Sequence, residues 1–287
     1  MQVITSLDDL AKKISECNDT LNHQSDDAMR RMFGTFRMDF SNELPSDPFS
    51  SEYRHFQAAI HERITGRRYA VENERSVFDA ASMWRRPFPF YTGSCLTAGH
   101  HLTAIGFLLR HLDLPAGARV LEFGPGWGNT TLALALLGMH VTAVEIAPSF
   151  CEVIRTRAAQ DGLAIEVIES DFFWAETVTE PYDAVIFFEC FHHCDDHVRL
   201  LRALHGAVKP EGTVYFASEP ITPDYPIPWG RADGRRVALG DAELRLVGTR
   251  LQRGVFPPRH GEDRLVGDET RLAGHGLGGD LASAQVG

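Results

Sequence analysis

Between Glu122 and Gly128 the sequence EFGPGWG sets one carboxylate and three glycines at alternate positions, between two apolar runs. Glycines at this spacing let a chain turn tightly and bring backbone N–H groups against a ligand with no Cβ in the way. A helix starting at Asn129–Thr131 would add free N–H groups and a capping side chain, a common seat for a nucleotide. Two more acids end later apolar runs, Glu145 in HVTAVE and Asp171 just after IEVIES. A strand-end carboxylate can accept hydrogen bonds from both hydroxyls of a ribose.

A second concentration of chemistry is CFHHCDDH, Cys190 to His197. Thiol, imidazole and carboxylate are all metal-ligand types. Four ligands packed into one short segment rarely converge on a tetrahedral ion, and no second Cys/His pair lies at finger spacing, so no metal is expected. Asp195 and Asp196 suit the first turn of a helix HVRLLRAL, where acids complement the dipole. Histidine titrates near neutral pH, which makes His192 and His193 the candidate proton acceptors.

The elements that must position these residues follow a regular order. LTAGHHLTAIGFLLRHL, TTLALALLG, PSFCEVIRTRAAQ and HVRLLRALHGAV have helical spacing. RVLEF, HVTAVE, IEVIES, YDAVIFFE and GTVYFASE, the last after a KPEG turn, read as strands. This alternation predicts βαβ units and an α/β, doubly wound, mostly parallel sheet over residues 95–230. The unbroken apolar run AVIFF fits a strand covered on both faces.

Residues 1–94 are polar and mixed, with helices expected around Leu7–Cys17 and Ser51–Ile64. The first sixteen residues read as an amphipathic helix, without the apolar core of a signal peptide. This region ends in WRRPFPFYTGS, too proline-rich for a helix interior. It is expected to be a helical lid or substrate-binding region, with Tyr91 and His100 as its lid-side candidates. Residues 231–287 form an atypical Gly/Arg-rich tail with no Lys, Ile, Met, Trp, Tyr, Cys or Asn. That vocabulary is what G- and C-rich codons yield when read out of frame. A frameshift is therefore one expectation, and a natural, poorly ordered tail is the other.

The net charge of −11 argues against a nucleic-acid partner. Five cysteines without disulfide spacing, and no apolar run long enough to span a bilayer, point to a cytoplasmic chain with no membrane partner. A homodimer is compatible with all of this.

The glycine turn, the two strand-end acids, YDAVIFFECFHH and VKPEGTVYF, in that order, resemble the class I S-adenosylmethionine (SAM)-dependent methyltransferases over roughly Arg119–Glu219. The resemblance implies a Rossmann-like core, SAM as cofactor and a small-molecule acceptor. Glu122 would meet the amino group of the methionine moiety, directly or through water, and Gly124, Gly126 and Gly128 would form the turn against the ligand. Glu145, with Ile146 beside it, would hold the ribose. Asp171 would accept from the adenine amine while Phe172 packs on the ring or supplies its backbone N–H. Glu189 is a cofactor-side candidate after the fourth strand, where donor and acceptor meet, and the histidines favour oxygen as the acceptor atom. Two other readings stay open: an NAD(P)-binding oxidoreductase, whose fingerprint needs its third glycine one place later, and a SAM-binding protein without activity.

Overall fold

The computed structural model describes residues 1–23, 35–39, 45–47, 49–219, 268–271 and 280–285. They belong to two compact units. One comprises described residues of 1–74 and 192–198. The other comprises 75–191 and 199–219 with the two late strands.

In the first unit, β1 (Gln2–Ile4) pairs in parallel with β2 (Phe36–Met38), and α1 (Leu7–His23) follows β1. The N-terminal helix therefore starts only at Leu7, because three residues, QVI, are too few to display an alternating pattern. Ser6 opens it by accepting a hydrogen bond from Asp9 N at 3.2 Å. α2 (Ser51–Thr65) opens on Ser50, whose hydroxyl accepts from Tyr53 N, and ends at Gly66 in the left-handed conformation. Tyr53, Gln57 and His61, four residues apart, lie on one stripe of this helix, and all three are buried.

In the second unit, α3 (Ala80–Met83) and α4 (Cys95–Leu112) lead into the alternation read from the sequence. It runs β3 (Arg119–Phe123), α5 (Asn129–Leu136), β4 (His140–Glu145), α6 (Pro148–Gln160), β5 (Ile165–Glu169) and β6 (Tyr182–Phe188). α7 (His197–Ala207) and β7 (Val208–Glu219) follow. Five strands lie parallel in the order β5-β4-β3-β6-β7. β7 runs straight through the expected KPEG turn, with a register shift against β6 between Tyr182 and Ala184. Two strands from within residues 231–287 complete the sheet. β9 (Asp280–Gln285) lies antiparallel to β7, and β8 (Asp268–Arg271) antiparallel to β9. The rest of the expected tail lies outside the described residues.

Phe123, Phe187 and Phe216 are register partners on neighbouring strands, and their rings stack at 5.0 and 5.4 Å between centroids. On the opposite face, Val120 and Ile186 pack with Leu108 and Leu112 of α4. Each such side chain contributes about 1.5–3 kcal/mol by leaving water. The chain builds outward from β3 to β4 and β5, then returns to lay β6 on the other side of β3. Strand order reverses there, and in such sheets the ligand crevice lies outside the carboxyl ends of the two strands flanking that point.

Candidate functional site

At the carboxyl end of β3, Glu122 is 1% exposed, and its Oε2 accepts a 2.6 Å hydrogen bond from Thr131 of α5. Burial, opposed by the Thr131 bond and reinforced by the nearby Glu145 charge, pushes its carboxyl up to about 7. The three glycines that follow all take positive φ. A Cβ on Gly124 would stand 2.8 Å from Cys190 Cβ, whereas one on Gly126 would meet nothing within 4 Å. The turn is thus packed from beneath at Gly124 and open at Gly126. Glu145, buried at the end of β4, accepts from Gly126 N at 3.0 Å through Oε2 and from Ala147 N at 2.9 Å through Oε1. It ties its own strand end to the glycine turn, with half-buried Ile146 between it and Ala147.

Asp171 caps the short 3-10 turn Phe172–Thr177, accepting from Phe173 N at 2.8 Å through Oδ1. Phe172 stands edge-on to Phe123 and Phe187, so its ring joins the aromatic row of the sheet. Glu189, just past β6, is exposed and takes φ +57, an uncommon conformation for a residue with a side chain. Its N–H donates to Ala217 O, and the next two N–H groups, of Cys190 and Phe191, both donate to Glu219 Oε1 at 2.9 and 2.7 Å. Glu219 went unremarked in the sequence. The signal available was the one that marks Glu145, an acid ending an apolar strand.

The aromatic loop closes on the same turn. Asn129, first residue of α5, donates through Nδ2 to Phe88 O at 2.7 Å. Trp127, inside the glycine turn, packs against Phe78, Phe150 and the half-exposed Tyr91. Of the two neighbouring histidines on α4, His100 is exposed, and His101 reaches the turn, 3.1 Å from Asn129 Nδ2. Helical periodicity is the reason, since residue 101 continues the buried stripe of Ile105, Leu108 and Leu112.

In the other compact unit, His193 Nδ1 lies 2.9 Å from Glu74 Oε2, and the Tyr69 hydroxyl donates to His193 O at 3.4 Å. A carboxylate on Nδ1 holds the ring proton there and puts the imidazole lone pair on Nε2. His192 is buried, its ring 4.3 Å from that of His193. Asp196 forms an ion pair with Arg54. Glu74 is 119 residues from His193 and carries no local motif, so no sequence pattern could have paired them.

Residues 120–212 match the family model of the methyltransferase domain. This stretch is a class I SAM-dependent methyltransferase domain. Among curated relatives, it is similar to the ubiquinone biosynthesis O-methyltransferase of Xanthomonas axonopodis pv. citri, with 33% identity over 38% of this chain and 46% of that one. The enzyme of the same name from Xanthomonas campestris pv. campestris is 31% identical over 42% of this chain and 50% of its own. The chain thus spans about half the length of the curated relatives it matches. A solved SAM-dependent methyltransferase from Thiobacillus denitrificans, in complex with S-adenosyl-L-homocysteine, aligns at 22% identity over 40% of this chain and 47% of its own, with a TM-score of 0.36.

The methyltransferase domain's own residues fit SAM. A wholly buried carboxyl with a single hydroxyl donor is suited to a cationic amine. The glycine turn is open where a ligand would lie against its backbone. Asp171 Oδ2 has no protein donor among the described residues. No helix among the described residues is long and apolar enough to cross a membrane.

Proposed function

We propose that this protein transfers the methyl group of SAM to a hydroxyl oxygen of a small molecule, with His193, oriented by Glu74, accepting the hydroxyl proton. The observation that carries the choice of acceptor is the 2.9 Å His193–Glu74 contact. An oriented imidazole is the ordinary partner of a hydroxyl that must lose its proton as it attacks. The relatives' O-methyltransferase name favours the same acceptor atom.

When bound, SAM supplies a methyl group on a cationic sulfur, which leaves as a neutral thioether when the acceptor oxygen takes the methyl. The protein's share is approach geometry and proton handling. Glu122 takes the charge of the methionine amine and ionises as it does so. Glu145 accepts from the ribose hydroxyls while it holds Gly126. Asp171 accepts from the adenine amine, with Phe172 and Ile146 lining the ring. Glu189 borders the crevice at the end of β6. His192 is the second candidate proton acceptor, Tyr91 is a lid-side candidate, and the segment before residue 95 is assigned the part of a lid.

Calorimetry with SAM and S-adenosylhomocysteine (SAH), followed by transfer of labelled methyl to hydroxyl, amine and thiol acceptor panels, tests this reading. SAM binding with label found only on hydroxyl acceptors, and lost in His193→Ala, is the expected result. Transfer to amines or thiols, or full turnover in His193→Ala, overturns the assignment of oxygen and of the base.

A further inference from the structure

Two neighbouring strands leave the ordinary β conformation at the same level of the sheet. β6 and β7 stay in register as far as Phe188 and Ala217. The next residue of each, Glu189 and Ser218, takes positive φ, +57 and +56. Neither is glycine, and such a conformation persists only where the surroundings hold it. A register shift against β9 falls at the same place, between Ala217 and Glu219. Irregularities of this kind re-aim a side chain. Here the side chain is that of Glu219, 2% exposed, which reaches across to the end of β6. Its Oε1 accepts from two successive N–H groups, those of Cys190 and Phe191, so the carboxylate is an internal anion in a backbone concavity.

The residue held in this way touches the glycine turn. Cys190 Sγ donates to the carbonyl of Phe123, the last residue of β3, at 3.0 Å. Its Cβ and Sγ fill the space that a Cβ on Gly124 would need. Burial, and after it the charges of Glu219, Glu122 and Glu145, holds the thiol well above its ordinary value, so it keeps the proton it donates. The ends of β7, β6 and β3 are thereby joined in one line of carboxylate, peptide N–H, thiol and carbonyl.

We propose that Glu219 is a positioning residue for the methyl donor: acting through Cys190, it fixes the end of β3 and the glycine turn in the place that SAM needs. This rests on the reading of that turn as the SAM seat. Glu219 acts here through other residues and not on the ligand. Its two bonds to peptide N–H groups are charge-assisted, each stronger than a neutral one, and they do the holding. A role in folding alone would let any side chain that keeps the protein folded replace it.

The test is the SAM dissociation constant, measured by calorimetry on the full chain and on Glu219→Ala, Glu219→Gln, Cys190→Ala and the double variant Glu219→Ala/Cys190→Ala. Each variant is first checked for a cooperative thermal transition. Glu219→Ala should bind SAM about tenfold more weakly, and Glu219→Gln, which keeps a neutral acceptor, about threefold. Sodium formate, which can refill the concavity, should recover most of the loss in Glu219→Ala, while sodium chloride at equal ionic strength should not. Cys190→Ala should lose about threefold, and the double variant no more than Glu219→Ala alone, because both changes cut the same line. Wild-type affinity in both Glu219 variants overturns the proposal. So do losses that multiply in the double variant, or a Glu219→Ala protein that formate does not help. If Glu219→Ala does not fold, Glu219→Gln with Cys190→Ala completes the same cycle. A wild-type chain that binds no SAM overturns the reading of the turn, and the proposal with it.

Discussion

The two compact units bury polar groups in different ways. Around the glycine turn, buried acids are tied to backbone and hydroxyl donors nearby in sequence or one strand away: Glu122 to Thr131, Glu145 to Gly126 and Ala147. In the unit built from residues 1–74 and 192–198, buried polar side chains come from Lys13 of α1, from one stripe of α2 and from a segment over a hundred residues later. The first pattern is a local device that a short motif can encode. The second exists only once distant segments have folded together. The difference separates a glycine turn and its acids, written into one strand–turn–helix, from a polar cluster assembled across the chain.

The sharpest way to break the comparison lies inside the glycine turn. Gly124→Ala combines left-handed strain with a Cβ 2.8 Å from Cys190. It should destabilise the protein by about 2–4 kcal/mol in chemical denaturation. Gly126→Ala meets open space, so it should cost only about 1–2 kcal/mol while weakening SAM binding at least about tenfold. Equal stability losses in the two variants would mean that the turn is not packed from one side.

Glu122 gives the next effect. With its folded-state carboxyl at about 7 against an ordinary 4.5, the ligand-free folded protein holds this proton more tightly than the unfolded chain does. The stabilisation is therefore fully present below pH about 4.5 and is lost as the pH rises through about 7. Glu122→Gln removes that dependence. Its stability advantage over wild type should grow between pH 5 and 8, to about 3 kcal/mol at most, and level off above. The same variant should bind SAM at least about tenfold more weakly, because a neutral amide cannot take the amine's charge.

For the other unit, Glu74→Gln should lower kcat about ten- to a hundredfold with the SAM dissociation constant unchanged, and Glu74→Asp should recover part of the loss. A variant that loses SAM binding instead would move Glu74 to the donor side of the comparison. The smallest effect belongs to Gln57, whose buried Oε1 has no hydrogen-bond partner among the described residues. Gln57→Met should raise stability by about 1 kcal/mol in thermal unfolding, since an unsatisfied buried acceptor is replaced by apolar surface.

Much of the sheet was legible because its signal is local. AVIFF reads as a doubly covered strand, and Ala184 to Phe187 are all buried. Pro148 opens α6, where a missing N–H costs nothing. What was missed has equally physical causes. QVI is too short to show a period, and KPEG carries turn residues yet continues as β7 through a register shift. Strands β8 and β9 come from a stretch whose composition shows little periodicity.

By itself, the sequence determined the parallel sheet, the glycine turn and the order of its acids, because hydrophobic period and glycine spacing act over a few residues. Tertiary structure alone decided that His101 rather than His100 meets the turn, that Glu219 holds the exit of β6, and that Glu74 orients His193. Those choices depend on which helix face is buried and on contacts across long stretches of chain, and a linear spacing carries neither.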